Sequence, residues 1–267
     1  MAESLAGRFE VIRSPHWSLT ECREAFGFSL NDYLFYGGYP GAAPLIGDES
    51  RWAAYVGDAI VEPTLARDVL ALGEVRKPAL LRSLFMLGAT YSAQEISYTK
   101  LLGQLQAAGN TATLANYLDM LEQASVMAGL KKFAPTNLAS RASSPRLLVF
   151  DTALMTYADG ATRERFRTIP TDRGHLVETA IGANLLARRA SEGFDVFYWR
   201  ERSEEVDYVL RRGHDVTAIE VKSGGVKATG GVTAFLRQYP EALAIVVGSA
   251  SCSVEDFLSG KQPLFKH

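Results

Sequence analysis

The spacing of apolar positions changes twice along the chain. Up to about residue 75 it is mixed. "RFEVI" has the look of a short strand. "SLTECREAFG" opens on a Ser/Thr cap signal and predicts a short helix that ends at Gly27. "YLFYGGYPGAAP" is rich in Gly and Pro and predicts a loop. A long helix is predicted from about Glu49 to Val69, with Trp52, Tyr55, Val56, Ile60 and Leu65 on one face and Pro63 placed to kink it.

Residues 76–150 read differently. "KPALLRSLFMLGATY" is a helix with Pro78 in its first turn. "SAQEISYTKLLGQL" predicts a second helix, with Ser92 and Glu95 as a capping box. "GNTATLANYLDMLEQASV" predicts a third. "MAGLKKFAP" and "PRLLVFD" read as two strands joined by the polar loop "TNLASRASS". Three helices and a two-stranded wing make a winged helix-turn-helix, whose recognition helix would run from Thr111 to Gln123.

In residues 151–267 the period becomes that of an α/β unit. "RGHLVETAIGANLLARRA" is a long amphipathic helix with Leu176, Ala180, Ala183 and Leu186 on one face. "FDVFYWR", "EVDYVLR" and "TAIEVK" are three consecutive strands. "GGVTAFLRQYP" is a helix, and "LAIVVG" is an apolar run that reads as a buried strand. The order is α-β-β-β-α-β, and the crossover through the last helix predicts that the last two strands are parallel.

Three charges fall on strands that are otherwise core-like: Asp207 in "VDYVL", and Glu220 and Lys222 in "TAIEVK". Burying a charge costs several kcal/mol, in the range of ~3–5 for a broken pair, unless it is paired or binds a metal. Strand alternation predicts that Asp207, Glu220 and Lys222 converge on one face near one end of the sheet. Two carboxylates and an ammonium there are a candidate site for Mg²⁺ (or Mn²⁺) and a phosphate. The competing reading is a structural ion pair of Asp207 or Glu220 with Lys222, because short motifs of this kind match falsely often.

Composition adds constraints. The chain has 267 residues, 22% of them charged, and a net charge of −2, so no global basic field advertises nucleic-acid binding. The recognition helix offers Thr113, Asn116, Tyr117 and Glu122 outside its apolar face, without Arg or Lys. Nearby cations are Lys131 and Lys132, then Arg141 and Arg146 around the wing. This region is either a DNA-binding module or a spacer or protein-docking module. The two cysteines, Cys22 and Cys252, have neither disulfide nor zinc spacing, which points to a reducing cytoplasm. No run is long enough to span a membrane, and the first residues lack the apolar core of a secretory signal.

The α-β-β-β-α-β order, with Glu178 on its first helix in "HLVETAIG", resembles the core of the PD-(D/E)XK nuclease superfamily. Asp207 and "Glu220-Val221-Lys222" occupy the other motif positions, and Val206 stands where the Pro of the motif would be. A longer succession of blocks, "SLAGRFEVI", "YLFYGGYPG", "ARDVL", "TLANYLDMLEQA", "LLVFDTAL", "GHLVETAIGANLL", "FYWRERSEEVDYVL" and "IEVKSG", resembles the C-terminal half of a large group of prokaryotic AAA-type ATPases. There an ATPase module precedes a winged helix and a nuclease-like domain. The resemblance implies an α/β chain of three parts: a mostly helical segment over 1–75, a winged helix over 76–150, and a restriction-endonuclease-like domain over 151–267. The phosphate-binding loop of those ATPases has no counterpart here, so no ATP site is expected, and the chain is read as starting where the nucleotide machinery stops.

On this resemblance Asp207, Glu220 and Glu178 would hold the metal, and Lys222 would steady the attacking water or the charge on the phosphate. Tyr198, Trp199 and Arg200 read as core aromatics and a surface cation, and His175 and His214 lack ligand spacing. Arg211 and Arg212 at the hairpin turn, and Arg163, Arg165 and Arg167 before the long helix, are either phosphate contacts or solvated side chains. Two functions follow: a Mg²⁺-dependent nuclease acting on DNA, or a non-catalytic module that binds nucleic acid or a partner protein.

Overall fold

The computed structural model describes residues 10, 14–105, 110–134, 143–222 and 230–266. Most of "RFEVI" and the wing-loop Arg141 lie outside them. Helix starts follow local capping. α1 (Leu19–Phe26) begins at Ser18, whose Oγ accepts from the Glu21 N–H while the Glu21 carboxylate accepts from the Ser18 N–H, and it closes on Gly27 at φ 70°. Ser29 and Asp32 form the same box on α2 (Leu30–Tyr36). That box draws "YLFY", expected as loop, into a helix. A 3₁₀ segment, Pro40–Leu45, follows.

The helix predicted from Glu49 is present as α3 (Glu49–Tyr55), which continues through two wide π segments, Val56–Val61 and Thr64–Asp68, into α4 (Val69–Leu72). Pro63 lies between the two π segments. It has no N–H to offer the ladder, and the wider turns on either side absorb the lost bond.

α5 (Pro78–Thr90), α6 (Tyr98–Leu105) and α7 (Thr111–Gln123) are the three helices of the second region. The expected Ser92–Glu95 capping box does not form. Ser92 is fully buried and its Oγ accepts from the Val149 N–H, while Glu95 bridges to Arg146, so α6 starts later. Tertiary partners outcompeted the local cap. β1 (Met127–Lys132) and β2 (Arg146–Val149) pair antiparallel as predicted.

α8 (Thr152–Asp159) and α9 (Arg163–Thr168) lead to α10 (Pro170–Glu192). Then come β3 (Asp195–Glu201), β4 (Glu204–Arg212), β5 (Asp215–Val221), α11 (Gly230–Gln238), β6 (Leu243–Val247) and α12 (Val254–Leu258). β3 to β5 form an antiparallel meander, and β6 joins β5 in parallel through α11. The result is a mixed α/β fold on an open six-stranded sheet of order β2-β1-β3-β4-β5-β6. The hairpin expected as a free wing is therefore the edge of the same sheet, because β1 pairs in parallel with β3 at Lys131–Phe197 and Lys132–Tyr198. Among the described residues no helix is long and apolar enough to cross a membrane.

The sheet has two apolar faces. Tyr198, Tyr208, Leu210 and Ile219 pack into a large core with α10 and the N-terminal helices. Trp199, Val206, Val209 and Ala218 pack into a smaller one with Phe235 of α11. Burial of a large apolar side chain contributes about 1.5–3 kcal/mol, so both faces hold the strands in register.

Candidate functional site

One irregularity positions the candidate site. Along β3 and β4 the pairing steps from Phe197↔Val209 to Trp199↔Val206, so two β4 residues, Asp207 and Tyr208, stand opposite the single residue Tyr198. A bulge of this kind re-aims side chains. Here it breaks the alternation that predicted Asp207 on the face of Val209. Asp207 turns with Tyr208 toward the α10 side.

There it meets a side chain that the sequence offers only as one of the cations around the wing. Arg146, at the start of β2, is 4% exposed and reaches over the Tyr198 ring, its guanidinium 5.5 Å from the centroid. Its Nη1 lies 3.1 Å from Glu178 Oε1 and 3.6 Å from Asp207 Oδ1, and it donates to the Asp207 carbonyl at 3.1 Å. Its Nη2 lies 3.6 Å from Glu205 Oε2. The Tyr208 hydroxyl ties the floor to the helix by donating to the Glu178 carbonyl at 2.8 Å.

The other oxygen of Asp207 faces the end of the hairpin. Asp207 Oδ2 accepts from the Val221 N–H at 2.7 Å, just past the last β4–β5 ladder pair, Tyr208↔Ile219. The carboxylate thus closes the fork where the two strands separate.

Glu178 and Asp207 are therefore brought together, by Arg146. Glu220 and Lys222 are placed differently. Ile219 and Val221 pack into the large core and Ala218 into the small one, so alternation puts Glu220 on the α11 side of β5. Lys222 follows the strand, its N–H donating to the Val247 carbonyl at 2.8 Å. The bulge divides the single face predicted for Asp207, Glu220 and Lys222. The partner of Asp207 is Arg146, not Lys222.

The electrostatics follow from burial and sharing. Burial opposes the charge of Arg146, but Glu178, Asp207 and Glu205 outweigh it and raise its pKa above the ordinary guanidinium value. Burial pushes the Asp207 carboxyl up, and neither Arg146 nor the Val221 N–H brings it back to the usual range. The two directions differ from those of a simple pair because burial opposes the charge of Asp207 more than Arg146 favours it. Arg146 is thus held charged, and burial favours the protonated form of Asp207. Burial, then Glu95, pushes Tyr198 up to about 12.

These residues do not fit a divalent cation. Magnesium takes carboxylate oxygens at about 2.0–2.1 Å, in a gap that must exclude other positive charge. Between Glu178 and Asp207 that gap holds the Arg146 Nη1. Among the described residues no group of three or more His, Cys, Asp or Glu side chains is placed to hold a metal ion.

The nucleic-acid candidates have local partners. The Thr113 N–H and hydroxyl both donate to the Asn110 side-chain oxygen of the cap, at 2.8 and 3.0 Å. Asn116 Nδ2 contacts Met120 Sδ at 3.7 Å. Lys131 and Lys132 lie on β1, whose backbone pairs with β3, and the Lys131 side chain is exposed. Arg211 pairs with Asp195 at 3.4 Å and covers Phe197, and Arg212 pairs with Asp215 at 3.8 Å and covers Phe265. Arg163, Arg165 and Arg167 are helical rather than looped and pair with Asp32, with Asp159 and Asp172, and with Glu164. The signal for Arg146 was in the sequence: it heads "RLLVF", a strand in which every residue is buried.

A family model described as a domain of unknown function (DUF8612) matches residues 27–165, just over half of the chain. A second, described as a domain of unknown function (DUF4143), matches residues 173–256; that domain is common in AAA-ATPase-associated proteins. No curated protein and no solved structure matches the chain.

Proposed function

The chain belongs to the DUF8612 family, and from its geometry we propose that it is a non-catalytic docking module on a nuclease-like scaffold, serving ATPase-associated proteins. One observation carries this reading: the Arg146 Nη1 stands 3.1 Å from Glu178 and 3.6 Å from Asp207, where a nuclease would need its metal. The guanidinium satisfies the acids without any ligand. Protein docking is favoured over DNA, because the α7 surface carries no Lys or Arg and the arginines of the hairpin are engaged within the chain.

The test is a supercoiled-plasmid assay with Mg²⁺ and with Mn²⁺, run beside thermal melts in EDTA and in millimolar Mn²⁺. The expected results are no nicking and no metal-dependent shift in melting temperature. Metal-dependent cleavage that disappears in Asp207→Asn would overturn the proposal and restore the nuclease.

A further inference from the structure

A second place in the fold holds polar atoms with nothing to bind. A cavity of about 340 Å³ lies along the C-terminal half of α10, floored by Phe150, Asp151 and Thr152. Ala180, Ala183, Asn184, Ala187, Arg188 and Ser191 recur on one helix face and form its wall. Asn184 is 8% exposed, and its Oδ1 is buried without a hydrogen-bond partner. One turn later, Arg188 binds Glu192 through Nε and Nη2, while its Nη1 is buried without a partner. Buried polar atoms in native proteins are satisfied as a rule, so two unsatisfied ones on adjacent turns of a cavity wall call for a ligand.

The shape of the space narrows the ligand. The cavity runs into a trench of about 1490 Å³ and shares Pro15, His16, Phe150, Ala187 and Ser191 with it. The combined space is far larger than one small ring system would fill. A carboxamide presents one donor and one acceptor side by side. An extended peptide residue presents its own N–H and C=O to one side in the same way. Residues two apart in an extended chain repeat at roughly 6.6 Å, close to the ~6.0 Å rise over the four residues from Asn184 to Arg188. Arg188 Nη1 can then donate to the carbonyl two residues along. Ala180, Ala183 and Ala187 on the same face let a backbone approach the helix.

We propose that this face of α10 binds an extended peptide segment of a partner protein through its backbone, with Asn184 pairing one residue and Arg188 donating to the carbonyl two residues on. This rests on the docking reading and names what is docked. It is tested at Asn184, whereas the docking reading is tested by metal and plasmid, so the two can fail separately.

The experiment follows the Asn184 side-chain amide signals of the ¹⁵N-labelled chain, identified by their loss in Asn184→Leu. The probes are a blocked tetra-alanine peptide, its ester analogue lacking the backbone N–H groups, and uridine. The expected result is a saturable movement with the peptide and none with the ester or uridine. Without probe, Asn184→Leu should melt higher than wild type, since it removes an unsatisfied polar group, and in Asn184→Ala, which should keep the fold, the peptide should no longer move the backbone amide signals of Ala183 and Ala187 that it moves in wild type. No movement with the peptide up to its solubility limit would overturn the proposal. So would movement with uridine alone, which would assign the cavity to a nucleobase, or a lower melting temperature for Asn184→Leu, which would make Asn184 a structural residue.

Discussion

The Gly38 N–H donates to Asp151 Oδ2 at 2.8 Å, across 113 residues of chain. The other oxygen of Asp151 accepts from the Ala153 N–H at 2.8 Å and caps α8. "YGGYPG" and "VFDTAL" are thus two halves of one joint. The first glycine, Gly37, has φ +72°, and a Cβ built there would lie 1.8 Å from Asp151 Oδ1. Gly37→Ala is expected to lower stability by at least about 2 kcal/mol, from backbone strain and from displacing the carboxylate. Urea unfolding checks it: the midpoint should fall with little change in slope.

Arg146→Met removes the cation that three carboxylates share. It is expected to cost about 3–5 kcal/mol, because Glu178 and Asp207 are left with an uncompensated buried charge. Adding Asp207→Asn should recover part of that loss. The double-mutant cycle should therefore show clear coupling, and additive losses would place the two residues in separate networks.

The raised pKa of Asp207 fixes a sign in the pH dependence. An acid whose native pKa is above its unfolded value of ~4 stabilises the fold most below that value, and the stabilisation is lost as pH rises through the native pKa. Relative to wild type, Asp207→Asn should therefore gain stability as pH rises from about 4 upward. Unfolding curves of both proteins across that range measure the difference, and a difference independent of pH would contradict the shift.

Gly182 lies inside α10, where alanine is normally worth about 1 kcal/mol more than glycine. Here a Cβ would lie 2.4 Å from the Tyr208 hydroxyl and 2.7 Å from Leu148 Cδ1. Gly182→Ala should therefore destabilise, against the helical trend, by moving the ring that bonds the Glu178 carbonyl. Thermal melting decides the sign.

Burial pushes the Cys22 thiol up to about 12, with Asp151 and Glu21 adding to the effect, and burial also raises Cys252. Neither holds thiolate at neutral pH. A thiol-reactive disulfide reagent should label the folded chain only as fast as it unfolds, and both cysteines at once in urea. Rapid labelling of the native protein would show an open path to one of them.

What the sequence determined by itself was much of what depends on neighbours within about four residues or on a repeated period, though the Ser92–Glu95 box gave way to tertiary partners and the Ser29–Asp32 box went unread. The Ser18 cap and Gly27 stop, the bounds of α7, the β3–β4–β5 meander, the parallel β6 and the long α10 were all legible, because capping, turn chemistry and apolar spacing are local. Only the tertiary structure decided which charges meet. The bulge at Asp207–Tyr208 inserts one residue against β3, and nothing in "EVDYVL" marks it. It turns Asp207 to the α10 side, whereas plain alternation had grouped it with Glu220. Pairing of β1 with β3 then carries Arg146, 61 residues from Asp207, across the sheet to both acids. A desolvated carboxylate takes whichever cation the packing delivers, and that choice rests on strand order and register, which no local preference encodes.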